Sequence, residues 1–333
     1  MTALFSLAGS SALVTGGAGF VGSHIVDALL AEGCSKIVVV DNMIRGRLAN
    51  LSPALMSGRV EVVRGDIRDR ALMQRLVEPA DIVFHQAALR ITHCAEDPDL
   101  AMEVMSDATY RLLRLCVQAK VGKVVMASSA SIYGLAQTFP TPENDPPYDN
   151  RTLYGAAKLF GEGLLRSFHD MYGLNGVALR YFNVYGPRMD LHGRYTEVMV
   201  RWMERIEQGE PPIIFGDGLQ TMDLVHVADV ARANILAAKS PVTDVALNVG
   251  SGKETSLLAL AEAFCSILGR PGLKPVHVEA RAVNPVPRRL ASTELARELL
   301  GFETTIDVSE GLRDLTAWWR AEQQAAALST ERS

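Results

Sequence analysis

Residues 12–30 constrain this chain more than any other stretch. An apolar run, Ala12 to Val14, leads into glycines at 16, 17, 19 and 22, and then into Ile25, Val26, Leu29 and Leu30 at helical spacing. The pattern reads as a buried strand, a tight glycine turn and an amphipathic helix. Residues without Cβ let such a turn take unusual φ/ψ and let its backbone approach a pyrophosphate. The following helix N-terminus offers unpaired N–H groups and a positive dipole end. Gly17, Gly19 and Gly22 match G-x-G-x-x-G, and a second apolar run, Ile37 to Val40, ends in Asp41 at about the spacing of an acid that binds an adenosine ribose. A carboxylate there accepts hydrogen bonds from both ribose hydroxyls and repels a 2′-phosphate. NAD is therefore expected over NADP, with Arg45 and Arg47 close enough to soften that preference.

Beyond Asp41, short apolar runs (60–63, 82–84, 124–127, 177–181) alternate with helical patterns (71–77, 100–119, 152–171). Such alternation predicts an α/β chain with a doubly wound parallel sheet of Rossmann type, its ligands at the carboxyl ends of the strands. After Asn183 the pattern loosens into turns and shorter helical pieces. Residues 1–182 are thus expected to form the dinucleotide-binding domain and 183–322 a smaller C-terminal α/β lobe for substrate, some of whose segments could return to the first domain. Residues 323–333 read as a flexible tail. In the helix expected over 100–119, Glu103, Asp107, Arg111, Arg114 and Gln118 make one narrow polar stripe, so two covers are expected: the sheet, and either the small lobe or a second subunit.

Composition excludes several classes of function. A net charge of −5 with dispersed Lys and Arg leaves no nucleic-acid or membrane-surface footprint. No apolar run approaches the ~18 residues of a membrane span, and Met1 to Val14 lacks the basic flank and cleavage site of a signal peptide. Cys34, Cys94, Cys116 and Cys265 are far apart, and the seven histidines form no paired motif, so a reduced cytoplasmic protein without a metal is expected.

The second chemical signal lies in 152–171, where Leu153, Ala157, Phe160, Leu164, Phe168 and Met171 predict one buried stripe. Tyr154 and Lys158 stand four apart on another face. An ammonium beside a phenol favours the phenolate and lowers a pKa of ~10, making the tyrosine a base near neutral pH. Ser128, Ser129 and Ser131 follow the strand at 123–126 and so stand at the sheet's carboxyl end, beside the expected nicotinamide.

With these residues in view, the chain resembles the extended short-chain dehydrogenase/reductases that act on nucleotide sugars, and among them the UDP-hexose 4-epimerases. The likeness runs from about Ser11 to Arg320. It rests on Thr-Gly-Gly-Ala-Gly-Phe-Val-Gly (15–22), Asp41-Asn42, Gly65-Asp66-Ile67, His85-Gln86-Ala87-Ala88, Ser128-Ser129-Ala130, Tyr154 with Lys158, Arg180 through Arg188, and Gly216-Asp217-Gly218. The resemblance implies that Asp66 and Ile67 contact the adenine and that Gln86, Ala87 and Ala88 line the dinucleotide. Phe20, Val21, Asn42, Arg90, Tyr181 and Val184 complete the cofactor site. It makes Tyr154 the base, Lys158 the holder of the nicotinamide ribose and Ser129 the partner of the reacting hydroxyl. Ser131, Asn183 and Phe215 join the substrate site, and a homodimer forms through 100–119 and 152–171.

Two departures stand out. Where the family has Gln-Thr-Arg-Asp, this chain has Gln220-Thr221-Met222-Asp223, so the arginine expected on the substrate pyrophosphate is missing. Arg188, Arg194, Arg288 and Arg289 are the candidates to replace it, and Arg188 or Arg288 is expected to do so. The segment from His85 to Pro98 is also one residue short. The expected activity is nucleotide-sugar 4-epimerisation, a UDP-sugar being oxidised at C4 and given its hydride back on the opposite face. The alternatives are a 4,6-dehydratase or decarboxylase on the same scaffold, and a non-enzymatic NAD-binding module. In the resembling dehydratases an Asp-Glu pair follows the active-site Ser or Thr, whereas Ala130 and Ser131 stand here. Glu143 and Asp145, in a Pro-rich stretch, read as a solvated loop.

Overall fold

The computed structural model describes residues 5–191, 198–279 and 286–330. Its organising element is a seven-stranded, wholly parallel sheet built from β1 (Ser11–Thr15), β2 (Lys36–Asp41), β3 (Val60–Arg64), β4 (Ile82–His85), β5 (Lys123–Ser129), β6 (Gly176–Tyr181) and one late strand. The near-continuous Val, Ile and Leu content of these strands has a simple cause. Crossover helices cover both faces, so alternate polar positions are not tolerated. The covering helices are α1 (Phe20–Ala31), α2 (Ser52–Leu55), α3 (Arg70–Val77), α4 (Ile91–Glu96), α5 (Pro98–Met102), α6 (Ala108–Gln118) and α7 (Leu153–Tyr172).

The small lobe holds β7 (Asn183–Tyr185), α8 (Val198–Glu207), β8 (Ile213–Phe215) and β9 (Thr221–His226). Next, α9 (Val227–Lys239) and β10 (Val245–Val249) return to the large sheet. The strand order becomes β10-β6-β5-β4-β1-β2-β3, which reverses direction between β1 and β4 and opens the binding crevice there. The chain then adds β11 (Glu254–Ser256), α10 (Leu257–Ile267), β12 (Val276–Val278), α11 (Glu294–Leu300) and α12 (Val308–Thr330). The lobe has a separate core around Trp202, Phe264, Leu312 and Trp319.

Several expectations are corrected. The segment 100–119 is not one continuous helix, because a π-helical turn over Glu103–Asp107 separates α5 from α6. Phe160 and Met171 do not join a buried stripe: they are 50% and 65% exposed, while Gly155, Ala157, Gly161, Leu165 and Phe168 face inward. Small residues on the inner face bring α7 close to its neighbours and turn its larger side chains outward. The stretch around Glu143 and Asp145 is no solvated loop. Asp145 is buried, and the Glu143 carboxylate accepts a hydrogen bond from the Asn248 N–H at 2.9 Å. The expected tail is helical through Thr330. No helix among the described residues is long and apolar enough to cross a membrane.

Candidate active site

A cleft of about 1070 Å³ crosses the carboxyl ends of the strands and continues into the small lobe. Its floor is the glycine turn. Gly16 has φ +68°, and a Cβ there would lie 2.8 Å from the Ala87 backbone nitrogen. A Cβ on Gly22 would run into the Gly16 carbonyl. Gly19 is the N-cap of α1 and no side chain caps the helix, so its N-terminal end, lined by Gly19 and Gly22, opens on the cleft. Phe20 and Val21 line the same end.

The edge of β2 supplies the next contact. Asp41, 7% exposed, accepts from the Ala18 N–H at 3.1 Å and the Met43 N–H at 2.9 Å, while burial pushes its carboxyl above the usual range. Asn42, Ile67, Ala88 and Arg90 line the cleft beside it. Asp66 is held below the usual carboxylate range by hydrogen bonds from Arg68, at 2.9 to 3.0 Å. The N–H groups of Gln86 and Ala87 both donate to the Thr15 hydroxyl at 3.2 Å, and the Gln86 amide oxygen accepts from the Tyr181 hydroxyl at 3.1 Å.

The reacting end is built by β5 and α7. Thr152 caps α7 by accepting from the Gly155 N–H at 3.0 Å, which fixes Tyr154 and Lys158 on the first turns. The Ser129 hydroxyl lies close enough to the Tyr154 phenol to favour its ionised form, and it accepts from the Ser131 N–H at 3.1 Å. Lys158 Nζ donates to the Ala127 carbonyl at 2.7 Å and lies 5.8 Å from the Tyr154 ring centre. The expected electrostatics are corrected here. Burial raises the Tyr154 phenol, and the opposing influences come from Ser129, Arg45 and Arg289 rather than from Lys158. The ammonium faces Ala127, and burial lowers Lys158 itself to about 8.

Toward the small lobe the cleft is lined by Ser131, Asn183, Phe215, Gln220, Met222 and Arg289. Val184 lines a smaller adjoining space of about 220 Å³ shared with Ser129, Tyr154 and Tyr181. The two arginines favoured from the sequence are committed elsewhere. Arg188 reaches the cleft but pairs with Asp27 at 2.7 Å, and Arg288 lies outside it, bound bidentately by Glu254 at 2.7 Å over the Phe139 ring. Arg194 lies outside the described residues. Arg289 projects the other way from its neighbour because side chains alternate along an extended segment, here tied by its N–H to the Thr221 carbonyl at 3.1 Å.

Two residues escaped the sequence reading. Asp190 bridges Arg45 at 3.3 Å and Arg90 at 3.7 Å beside the Tyr154 pocket, and no spacing rule announces it. Glu162 lies eight residues after Tyr154 and was legible as the next member of a Tyr-x-x-x-Lys-x-x-x-Glu stripe.

A parallel sheet with a glycine cradle at its switch point, an acid at the end of β2 and a Ser-Tyr-Lys group over the opposite half defines a dinucleotide-binding enzyme of the short-chain dehydrogenase/reductase type. More narrowly, the chain belongs to the NAD dependent epimerase/dehydratase family, whose model matches residues 12–250. It is 36% identical to a UDP-glucose 4-epimerase of Mycolicibacterium smegmatis, over 94% of this chain and 99% of that one. It is 31% identical to a dTDP-glucose 4,6-dehydratase of Actinoplanes sp., over 93% and 98%. Among solved structures, UDP-glucose 4-epimerase from Thermotoga maritima with UDP-glucose superposes with a TM-score of 0.86 at 33% identity, covering 94% of this chain and 99% of that one. The cofactor is NAD, and the glycine cradle, the uncapped helix end and Asp41 fit it.

Proposed function

We propose that this enzyme is a nucleotide-sugar 4-epimerase with a UDP-sugar as substrate. The observation that carries the reading is the composition of the reacting end: Ser129, Tyr154 and Lys158 line one cleft, and the carboxylate in the smaller space around Ser129 and Tyr154 is Asp190. Water loss across C5 and C6 needs a further base and a further acid. Ala130 and Ser131 offer neither, Glu143 and Asp145 lie outside the cleft, and Asp190 is held between Arg45 and Arg90.

In this reading Ser129 holds the C4 hydroxyl and Tyr154 takes its proton. NAD, when bound, supplies a reversible hydride acceptor. Tyr154 then returns the proton to the same oxygen, so the chain's own groups finish each turnover in the protonation state in which they began. Lys158 holds the nicotinamide ribose. Asn183 and Ser131 contact the sugar or its phosphate, and Phe215 packs on the base. Arg289 takes the pyrophosphate contact that Met222 cannot make, since a thioether offers no donor.

We further propose a homodimer through α6 and α7. Tyr110, Phe160, Met171 and Tyr172 are 41%, 50%, 65% and 54% exposed along these helices, more apolar surface than a solvated face needs. Light scattering should give twice the chain mass, and Phe160→Glu should halve it.

The decisive test incubates the pure protein with a panel of nucleotide sugars and reads the products by NMR. A C4 epimer is expected. A 4-keto-6-deoxy product, or one that has lost carbon dioxide, would replace this reading with the dehydratase or decarboxylase.

A further inference from the structure

Tyr154, Lys158 and Glu162 follow one another at four-residue spacing on α7, and each is tied to a successive residue at the end of β5. Lys158 Nζ donates to the Ala127 carbonyl at 2.7 Å, Ser128 donates its hydroxyl to the Glu162 carboxylate, and Ser129 lies beside the Tyr154 phenol and favours its ionised form. Two of these three rungs belong to the reacting group. The third has its carboxylate and guanidinium outside the cleft lining, and it is deeply enclosed: Ser128, Glu162 and Arg180 are 2%, 7% and 8% exposed.

A buried carboxylate persists only when paired and fully hydrogen-bonded. Arg180 provides that. It sits opposite Ser128 in the β5–β6 register and grips Glu162 through Nε at 3.0 Å and Nη2 at 2.7 Å. Its remaining nitrogen donates to the Tyr133 hydroxyl at 2.8 Å and the Glu143 carbonyl at 2.7 Å, and Tyr133 donates onward to Asn248 at 2.6 Å. The network therefore joins α7 and the end of β5 to the loop that follows Ser131.

We propose that Glu162, held by Arg180, is a positioning residue that locks Ser129 and the Lys158 ammonium in place beside Tyr154. The proposal rests on the epimerase reading for its kinetic consequence but not for its electrostatic one. The groups facing Lys158 are Glu162 on its own helix, the Tyr154 ring, Cys94 from α4 and the neutral imidazole of His85 from β4. Glu162 is the nearby carboxylate among them, and its charge supports the ammonium against the burial that lowers Lys158 to about 8. Removing that charge moves the lysine's proton loss to lower pH, because burial already disfavours the cation and Glu162 is, after Cys94, one of the two groups that support it.

The test compares wild type with E162Q and with the double variant E162Q/R180M, which leaves no buried guanidinium unpaired and so keeps the experiment open if E162Q alone does not fold. Lys158 ionisation is read without catalysis, by trace acetylation at a series of pH values and mass spectrometry of the Lys158 peptide. The midpoint should fall in E162Q, which removes the carboxylate and leaves the Arg180 charge, and should fall less in the double variant, where both charges of the pair are gone. With a nucleotide sugar that wild type turns over, the alkaline limb of kcat should move down by the same amount while KM changes less than about threefold. A Lys158 midpoint equal to that of wild type in folded E162Q, or a kcat equal to that of wild type in the folded double variant, overturns the proposal and leaves the pair a purely structural tie. A shifted midpoint in a protein that epimerises no sugar overturns the functional reading instead.

Discussion

The arginine that contacts the substrate pyrophosphate is the sharpest question the site poses, because the sequence motif has methionine at that place. Arg289 lines the cleft, and its guanidinium lies close enough to Tyr154 to influence the phenol. Burial lowers Arg289 somewhat below the usual arginine range, as expected of a cation without a carboxylate partner among the described residues. Its charge thus awaits an anion. A charge-assisted hydrogen bond to phosphate contributes about 1.5 to 3 kcal/mol. Arg289→Ala should therefore weaken binding of UDP or a UDP-sugar by roughly 10- to 100-fold, since each 1.4 kcal/mol is about tenfold. Calorimetric titration of the NAD-loaded enzyme with UDP measures this directly. Arg288→Ala, which removes only an exposed pair with Glu254, should leave binding unchanged. Met222→Ala should do little. An Arg289→Ala protein that retains wild-type affinity, or an Arg288→Ala protein that loses it, would refute the assignment.

Other outcomes follow from the same geometry. Tyr154→Phe keeps the ring but removes the group that moves the proton, so kcat should fall at least ~100-fold with the melting temperature retained. Calorimetry should show NAD binding more tightly than NADP, because a carboxylate at Asp41 repels a 2′-phosphate. Mass spectrometry of the reacted nucleotide sugar should find product and substrate isobaric, and a product lighter by one water would contradict the proton bookkeeping at Tyr154. His85, wholly enclosed between the Thr15 and Thr109 hydroxyls, is lowered by burial to about 3. Its NMR signals should not titrate between pH 5 and 8. Since the unfolded chain binds that proton near pH 6.5 and the folded chain does not, His85 should cost stability progressively as pH falls below 6.5, and a His85→Gln protein should lose less stability on acidification.

What the sequence determined by itself is local chemistry whose geometry a short stretch of backbone dictates. The glycine turn at 16–22 is legible because only residues without Cβ fit against the Ala87 backbone and the Gly16 carbonyl, and the acid at Asp41 because the strand length sets its distance from that turn. Tyr154 and Lys158 are legible because helical pitch puts them side by side. The apolar runs gave the parallel sheet because strands covered on both faces admit little else. Tertiary structure decided whatever depends on which way a side chain turns once elements pack. Phe160 and Met171 have the period of a buried stripe yet face outward, since glycine and alanine on the other side of α7 let it approach its neighbours. Arg288 and Arg289 are adjacent and chemically identical, but one meets Glu254 at the surface and the other enters the cleft. Glu143 and Asp145 sit among prolines that suggest solvent, and long-range partners such as Asn248 bury that segment. Above all, the Tyr154 phenol is governed by its enclosure and by Ser129, because the Lys158 ammonium that the helix brings alongside turns instead to the Ala127 carbonyl.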